Sequence, residues 1–159
     1  MKKIFISAAV ALLLVIVITG IGLAALPRGE ASGSFSTTST TIHSVMDDKF
    51  NEVTDLSSTV IYTGTLEGTS TLDGTLTVHR DGSGDFRGIE TFTGSVNGVP
   101  GTLTFKLEGS CNLYQAIQIN NIIMSGTGEL ASFRGTLSKV GIIKDNGPVG
   151  TYTGQISNQ

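Results

Sequence analysis

Two stretches of this chain set residues in patterns that carry chemistry. In Asn121–Gly135 an apolar run ends in Gly126-x-Gly128-x-x-Ala131, and Asp145 follows 19 residues after Gly126. A strand, a glycine turn and a downstream acid are the parts of a dinucleotide fingerprint: a helix N-terminus holds the pyrophosphate and the acid takes the ribose. In DFRGIETFTG (Asp85–Gly94), alternation sets Phe86, Gly88, Glu90, Phe92 and Gly94 on one face and Arg87, Ile89 and Thr91 on the other. A carboxylate among aromatic side chains loses hydration, which raises its pKa and makes a general acid or a polar anchor for a ligand. The structural alternative places Glu90 at a rim, or in a pair with an arginine such as Arg134.

The fingerprint fails on its own requirements. Its glycines must open a helix, yet ELASFRGTLSKVG contains Gly135 and Gly141 and has no 3.6-residue apolar period. Gly126, Gly128 and Glu129 therefore read as a structural turn, with the Glu129 carboxylate capping nearby N–H groups and one helical turn before Phe133. No cofactor is expected. His43 and His79 lack metal-ligand spacing, so no metal is expected either. The serines have neither a nucleophile elbow nor a paired histidine. Cys111 is the only cysteine. It reads as a small half-buried residue near a turn, or as one half of an intermolecular bridge.

The elements that must position Glu90 are strands. TLTFKLE alternates Leu103, Phe105 and Leu107 against Thr102, Thr104, Lys106 and Glu108, and TVIYTGTL does the same with Val60, Tyr62 and Leu66. Leu76 and Val78 continue the pattern. Period two with many threonines and aromatics means half-buried strands, and Asp73-Gly74, Asp81-Gly82, Asn97-Gly98 and Asp145-Asn146-Gly147 supply turn chemistry. Eight strands are predicted, near 33–42, 57–66, 69–79, 85–95, 101–109, 115–124, 133–143 and 149–157. SVMDDKFNEVTD reads as a loop. Glycines recur inside strands as well as between them, as sharply bent sheet requires. Closure would also remove the exposed edges of a threonine-rich sheet. The expected fold is all-β: an eight-stranded, mostly antiparallel barrel.

Ahead of the barrel, Lys2 and Lys3 precede a charge-free run from Ile4 to Leu26, 23 residues long. As a helix it would extend about 34 Å at ~1.5 Å per residue, enough for a ~30 Å bilayer core. The lysines would stay cytoplasmic, sending the rest outside. Residues 1–26 are thus expected to be a signal anchor, or a signal peptide cleaved after Ala24 or Ala31. Residues 27–34 would be a linker and 35–159 the barrel. A cell-membrane protein with an external domain is expected, with a secreted one as the alternative. From residue 32 onward the chain holds seven basic and twelve acidic residues, a net charge of −5. That acidity disfavours nucleic acid as a partner. Oligomeric state is not readable.

GTLEGTS (Gly64–Ser70), GSGDFRGIETFTGSVNGVPGTLTFKLEG (Gly82–Gly109) and SGTGELASFRG (Ser125–Gly135) resemble the family called domain of unknown function 3224. SGTGEL and the Gly-x-Glu-x-Phe-x-Gly run at Gly88–Gly94 are the most specific pieces. The resemblance implies an allene oxide cyclase-like barrel with a closed or narrow cavity, and implies no activity. This chain departs from the family pattern in lacking tryptophan, and in having Lys106-Leu107-Glu108 where a histidine is expected.

Three functions fit these observations. The first is a binding module enclosing a small apolar or amphipathic ligand, with Glu90, Phe86, Phe92 and Tyr62 as its candidate ligand-binding residues. The second, suggested only by the analogy, is an isomerase or cyclase of a lipid-like substrate. The third is a structural envelope barrel filled by its own side chains. A cavity separates the first two from the third.

Overall fold

The computed structural model describes residues 29–47, 50–112 and 116–159. The predicted N-terminal helix lies outside them, and no helix among the described residues is long and apolar enough to cross a membrane. Eight strands follow in chain order: β1 (Glu30–Asp47), β2 (Asn51–Gly64), β3 (Leu66–His79), β4 (Gly84–Val96), β5 (Val99–Cys111), β6 (Ala116–Gly128), β7 (Phe133–Lys144) and β8 (Gly147–Asn158). Each pairs antiparallel with the next, and β1 pairs antiparallel with β8, so the sheet closes into a barrel.

Alternation carries the core. Leu103, Phe105, Leu107, Val60, Tyr62 and Leu66 all point inward and are buried, as their period-two spacing requires. The two ends of the barrel differ. One end is plugged by Leu66, Phe92, Val96, Leu103, Leu130 and Tyr152. Tyr152 Oη accepts the Leu66 N–H at 2.8 Å and donates to the Thr63 carbonyl at 3.2 Å, fastening β8 to the β2–β3 turn. The Asn97-Gly98 hairpin also lies at this end. Its φ values of 50° and 81° are those of a type I′ turn.

Cross-strand glycines belt the plugged end. Gly68 pairs with Gly94, Gly94 with Gly101, and Gly101 with Gly128. A Cβ on Gly94 would stand 2.2 Å from the Glu67 carbonyl oxygen and 2.8 Å from Gly68 Cα. Both are backbone atoms that cannot swing aside, so neighbouring strands approach here only because side chains are missing.

Four expectations need correction. β1 begins at Glu30, so residues 30–34 belong to the barrel and not to a linker; Ala31 is buried and Ser32 pairs with Thr153. SVMDDKFNEVTD is not a loop, because β1 runs to Asp47 and β2 starts at Asn51. This outer hairpin shows no apolar alternation since residues 39–47 of β1 are exposed on both faces. Side-chain bonds hold it instead: His43 Nε2 to Ser57 Oγ at 2.6 Å, and Ser44 Oγ donating to Asp55 at 2.9 Å. Asp73-Gly74 lies inside β3, where the bare Gly74 backbone makes room for the Phe86 ring. Gly126 lies in β6, and the turn starts later, at Gly128 with φ of 62° and Glu129 after it.

Gly94→Ala should therefore destabilise the protein by about 1–3 kcal/mol or more, as overpacking against rigid neighbours does. Urea denaturation would measure it. An unchanged midpoint would mean that β3 and β4 are not in this close register.

Candidate functional site

Five strands each send a polar side chain into one buried cluster in the lumen. The inward alternation of Val60 and Tyr62 places Tyr62 on β2; the same rule places Ser70 beside Leu72 on β3 and Glu90 beside Phe92 on β4. Asn121 falls between Ile119 and Ile123 on β6, and Lys139 follows Leu137 on β7. These five meet at the Glu90 carboxylate. Oε1 accepts from Tyr62 Oη at 2.7 Å and Ser70 Oγ at 2.5 Å. Oε2 accepts from Asn121 Nδ2 at 2.9 Å and Lys139 Nζ at 2.7 Å. Glu90 is 0% and Lys139 3% exposed, so this is a buried salt bridge. The Lys139 ammonium also lies over the Tyr62 ring at 4.8 Å and the Phe35 ring at 5.3 Å. Asn121 Oδ1 has no hydrogen-bond partner.

Burial pushes the Glu90 carboxyl up, but the Lys139 charge and the hydrogen bonds from Lys139, Ser70 and Tyr62 outweigh it. They hold the group below the usual carboxylate value. The raised pKa expected of a carboxylate in an aromatic interior is thus reversed by its donors. Burial draws the Lys139 ammonium down from its ordinary range, opposed by the charge of Glu90. Burial, reinforced by the Glu90 charge, pushes Tyr62 well above 10, so it stays a neutral donor.

Beyond this cluster, toward the end opposite the plug, lies a cavity of about 250 Å³. Its apolar wall comes mainly from Phe35, Leu56, Leu72, Phe86, Ile117 and Ile119, and Lys139 contributes to it. The β7–β8 turn, from Lys144 to Pro148, lines the mouth.

Of the four ligand-facing candidates, only Phe86 is in the cavity wall. Tyr62 and Phe92 are fully buried in the plugged half, their rings edge-on at 5.8 Å, and Glu90 is covered by its own donors. Arg134 is not the partner of Glu90; it donates to the carbonyls of Ala131 and Phe133. Glu129 is exposed, and the turn N–H groups of Leu130 and Ala131 bond to the carbonyls of Thr127 and Gly128. That turn leads directly into β7, so the helix N-terminus of a dinucleotide site is replaced by strand. Cys111 is half-buried at the end of β5. His79 bonds Asn51 and Asp85. Among the described residues no group of three or more His, Cys, Asp or Glu could hold a metal ion.

Sequence reasoning missed Lys139, Asn121 and Ser70. The signal was present: counting by twos from Leu137 lands on Lys139, and from Ile117 and Ile119 on Asn121.

A closed antiparallel eight-stranded barrel, plugged at one end and hollow at the other above a buried ion pair, defines the class of this protein. The chain belongs to the family described as protein of unknown function (DUF3224), whose model matches residues 31–153. A DUF3224-family protein of unknown function from Shewanella oneidensis MR-1 shares its fold, with a TM-score of 0.68 at 17% identity over 84% of this chain and 99% of that one. No curated protein matches the sequence.

Glu90→Gln strands the Lys139 charge and should cost about 3–5 kcal/mol. Adding Lys139→Met should return most of that loss, because removing both charges together removes the desolvation cost too. Urea titration of the three proteins checks both statements.

Acid should act through the same pair. The unfolded chain takes up the Glu90 proton near the ordinary value of 4.5, while the folded state holds the group lower. Stability from the pair is therefore complete above about pH 4.5 and is lost as pH falls through the folded value. The melting temperature of the double variant should fall less steeply below pH 4.5 than that of the unaltered protein. Parallel slopes would show that the pair is not ionised.

Proposed function

We propose that this protein is a binding module that holds one small apolar or amphipathic ligand in the open half of its barrel. The observation that carries this reading is the cavity of about 250 Å³, walled by apolar side chains and open beside the β7–β8 turn. A barrel filled by its own side chains would leave no such space, since interiors are close-packed with few voids larger than a water molecule. The enclosed volume takes about eight groups of water size at ~30 Å³ each, so the ligand is small.

An isomerase or cyclase is the weaker reading. A general acid must give up a proton, and Glu90 is ionised and already accepts four hydrogen bonds. The eight antiparallel strands in up-and-down order support an allene oxide cyclase-like assignment, and that assignment brings no activity with it. The charge-free run Ile4–Leu26 leads into β1 at the plugged end. As an uncleaved anchor it would hold that end toward the outer face of the membrane and turn the mouth away from it.

Toluene, an apolar probe small enough for the cavity, should raise the melting temperature of the protein in a saturable way, following RT ln(1 + [L]/Kd). Leu76→Trp, which fills the cavity from its wall, should abolish the shift while the protein remains folded. No shift in the unaltered protein up to the solubility limit of toluene would overturn the reading. Native mass spectrometry of protein from its own host would then name the ligand.

A further inference from the structure

Lys139 is the one cation that touches both the polar cluster and the cavity. An ammonium carries three N–H donors. One goes to Glu90 Oε2 at 2.7 Å, and among the described residues no second acceptor stands within hydrogen-bond distance of Nζ. The side chain is 3% exposed, so water outside the barrel does not serve the remaining donors. Phe35, whose ring lies 5.3 Å below the ammonium, is itself part of the cavity wall. Buried polar groups are rarely left unpaired, and charged donors bordering a mostly apolar cavity select for a ligand that can accept from them.

The charge already present decides which acceptor fits. Glu90 neutralises Lys139, and Tyr62, Ser70 and Asn121 supply neutral donors to the same carboxylate. A ligand carboxylate would put a second anion around one ammonium and leave a net negative charge among mostly apolar walls, which is costly. A ligand cation would face Lys139 directly. A neutral oxygen acceptor adds a charge-assisted hydrogen bond and no net charge.

We propose that the cavity selects an uncharged amphiphile, a short apolar chain ending in a carbonyl or a similar neutral acceptor, with that oxygen hydrogen-bonded to Lys139. This rests on the binding-module reading above and names the chemical class of its ligand.

The test titrates three probes, octan-2-one, octanoate and toluene, into the full chain and into its Glu90→Gln/Lys139→Met variant at pH 7. In the unaltered protein octan-2-one should bind more tightly than octanoate. In the variant octan-2-one should weaken about tenfold or more, the scale of one hydrogen bond to a charged group, while toluene stays unchanged. Where the variant does not fold, the Lys139 ¹⁵Nζ resonance of the unaltered protein gives the answer. It should move when octan-2-one is added and stay in place with toluene.

Octanoate binding more tightly than the ketone, or a variant that weakens ketone and toluene equally, would overturn the selection of a neutral acceptor and leave the cavity as a binding site. An unmoved Lys139 resonance with ketone bound would do the same. If none of the three probes binds the unaltered protein, the binding-module reading fails and this inference fails with it.

Discussion

Everything inside this barrel is arranged around the contact between Glu90 and Lys139. Two full charges lie in a lumen walled mainly by aliphatic and aromatic side chains. Either charge alone would cost several kcal/mol there. The structure meets that cost by bringing them to 2.7 Å and surrounding the carboxylate with three further donors. The contact crosses the lumen between strands that are not neighbours, so it constrains the barrel as a whole. Side chains alternate with period two, so a one-residue slip of β7 would carry Lys139 to the outer face and leave Glu90 alone inside. The same holds for Tyr62 on β2 and Asn121 on β6. A buried polar cluster spanning five strands also penalises two-residue slips, which keep the inward face and which a purely aliphatic lumen would tolerate.

The pair also divides the interior. On one side the glycine belt draws strands together, and Tyr62, Phe92 and Tyr152 fill the narrowed lumen with rings packed edge-on at 5.7–5.8 Å. On the other side Phe35, Leu56, Leu72, Phe86, Ile117 and Ile119 wall the cavity. Gly74 and Phe86 show how the two regimes coexist within one strand pair. The ring of Phe86 lies over the bare backbone of Gly74, so an aromatic on the cavity wall folds back against the sheet and does not fill the centre.

The strands were legible in the sequence because a barrel core writes its pattern in period two. Leu103, Phe105 and Leu107 declare an inward face, and Asn97-Gly98 declares its hairpin. The outer β1–β2 hairpin was not legible, because residues 39–47 of β1 are exposed on both faces and leave no apolar period; its cross-strand pairs mix Ile42–Leu56 and Met46–Val53 with Thr41–Ser57 and Ser44–Asp55. Glu90 was legible as inward and aromatic-flanked, since neighbours on its own strand carry that information. Its partner was not. Lys139 lies 49 residues away on a strand not adjacent to β4, and alternation shows which way a residue points but not what meets it across the lumen. Arg134 is not that partner, because its alternation with inward Phe133 puts it on the outside.

A glutamate among aromatics has the features of a general acid, and the reason it does not act as one here is valence. A carboxylate offers about four lone-pair sites, and four donors from Tyr62, Ser70, Asn121 and Lys139 take them. The acid is saturated. The ammonium opposite it is not: among the described residues its one hydrogen-bond acceptor is Glu90 Oε2, and Phe35 and Tyr62 meet it with ring faces. The asymmetry follows from which elements meet at the pair: the glutamate looks toward the plugged half, where hydroxyls and an amide converge, and the lysine borders the half that is empty. A compensated ion pair therefore presents the cavity with hydrogen-bond donors and no net charge. That combination is suited to holding a neutral molecule and poorly suited to moving a proton.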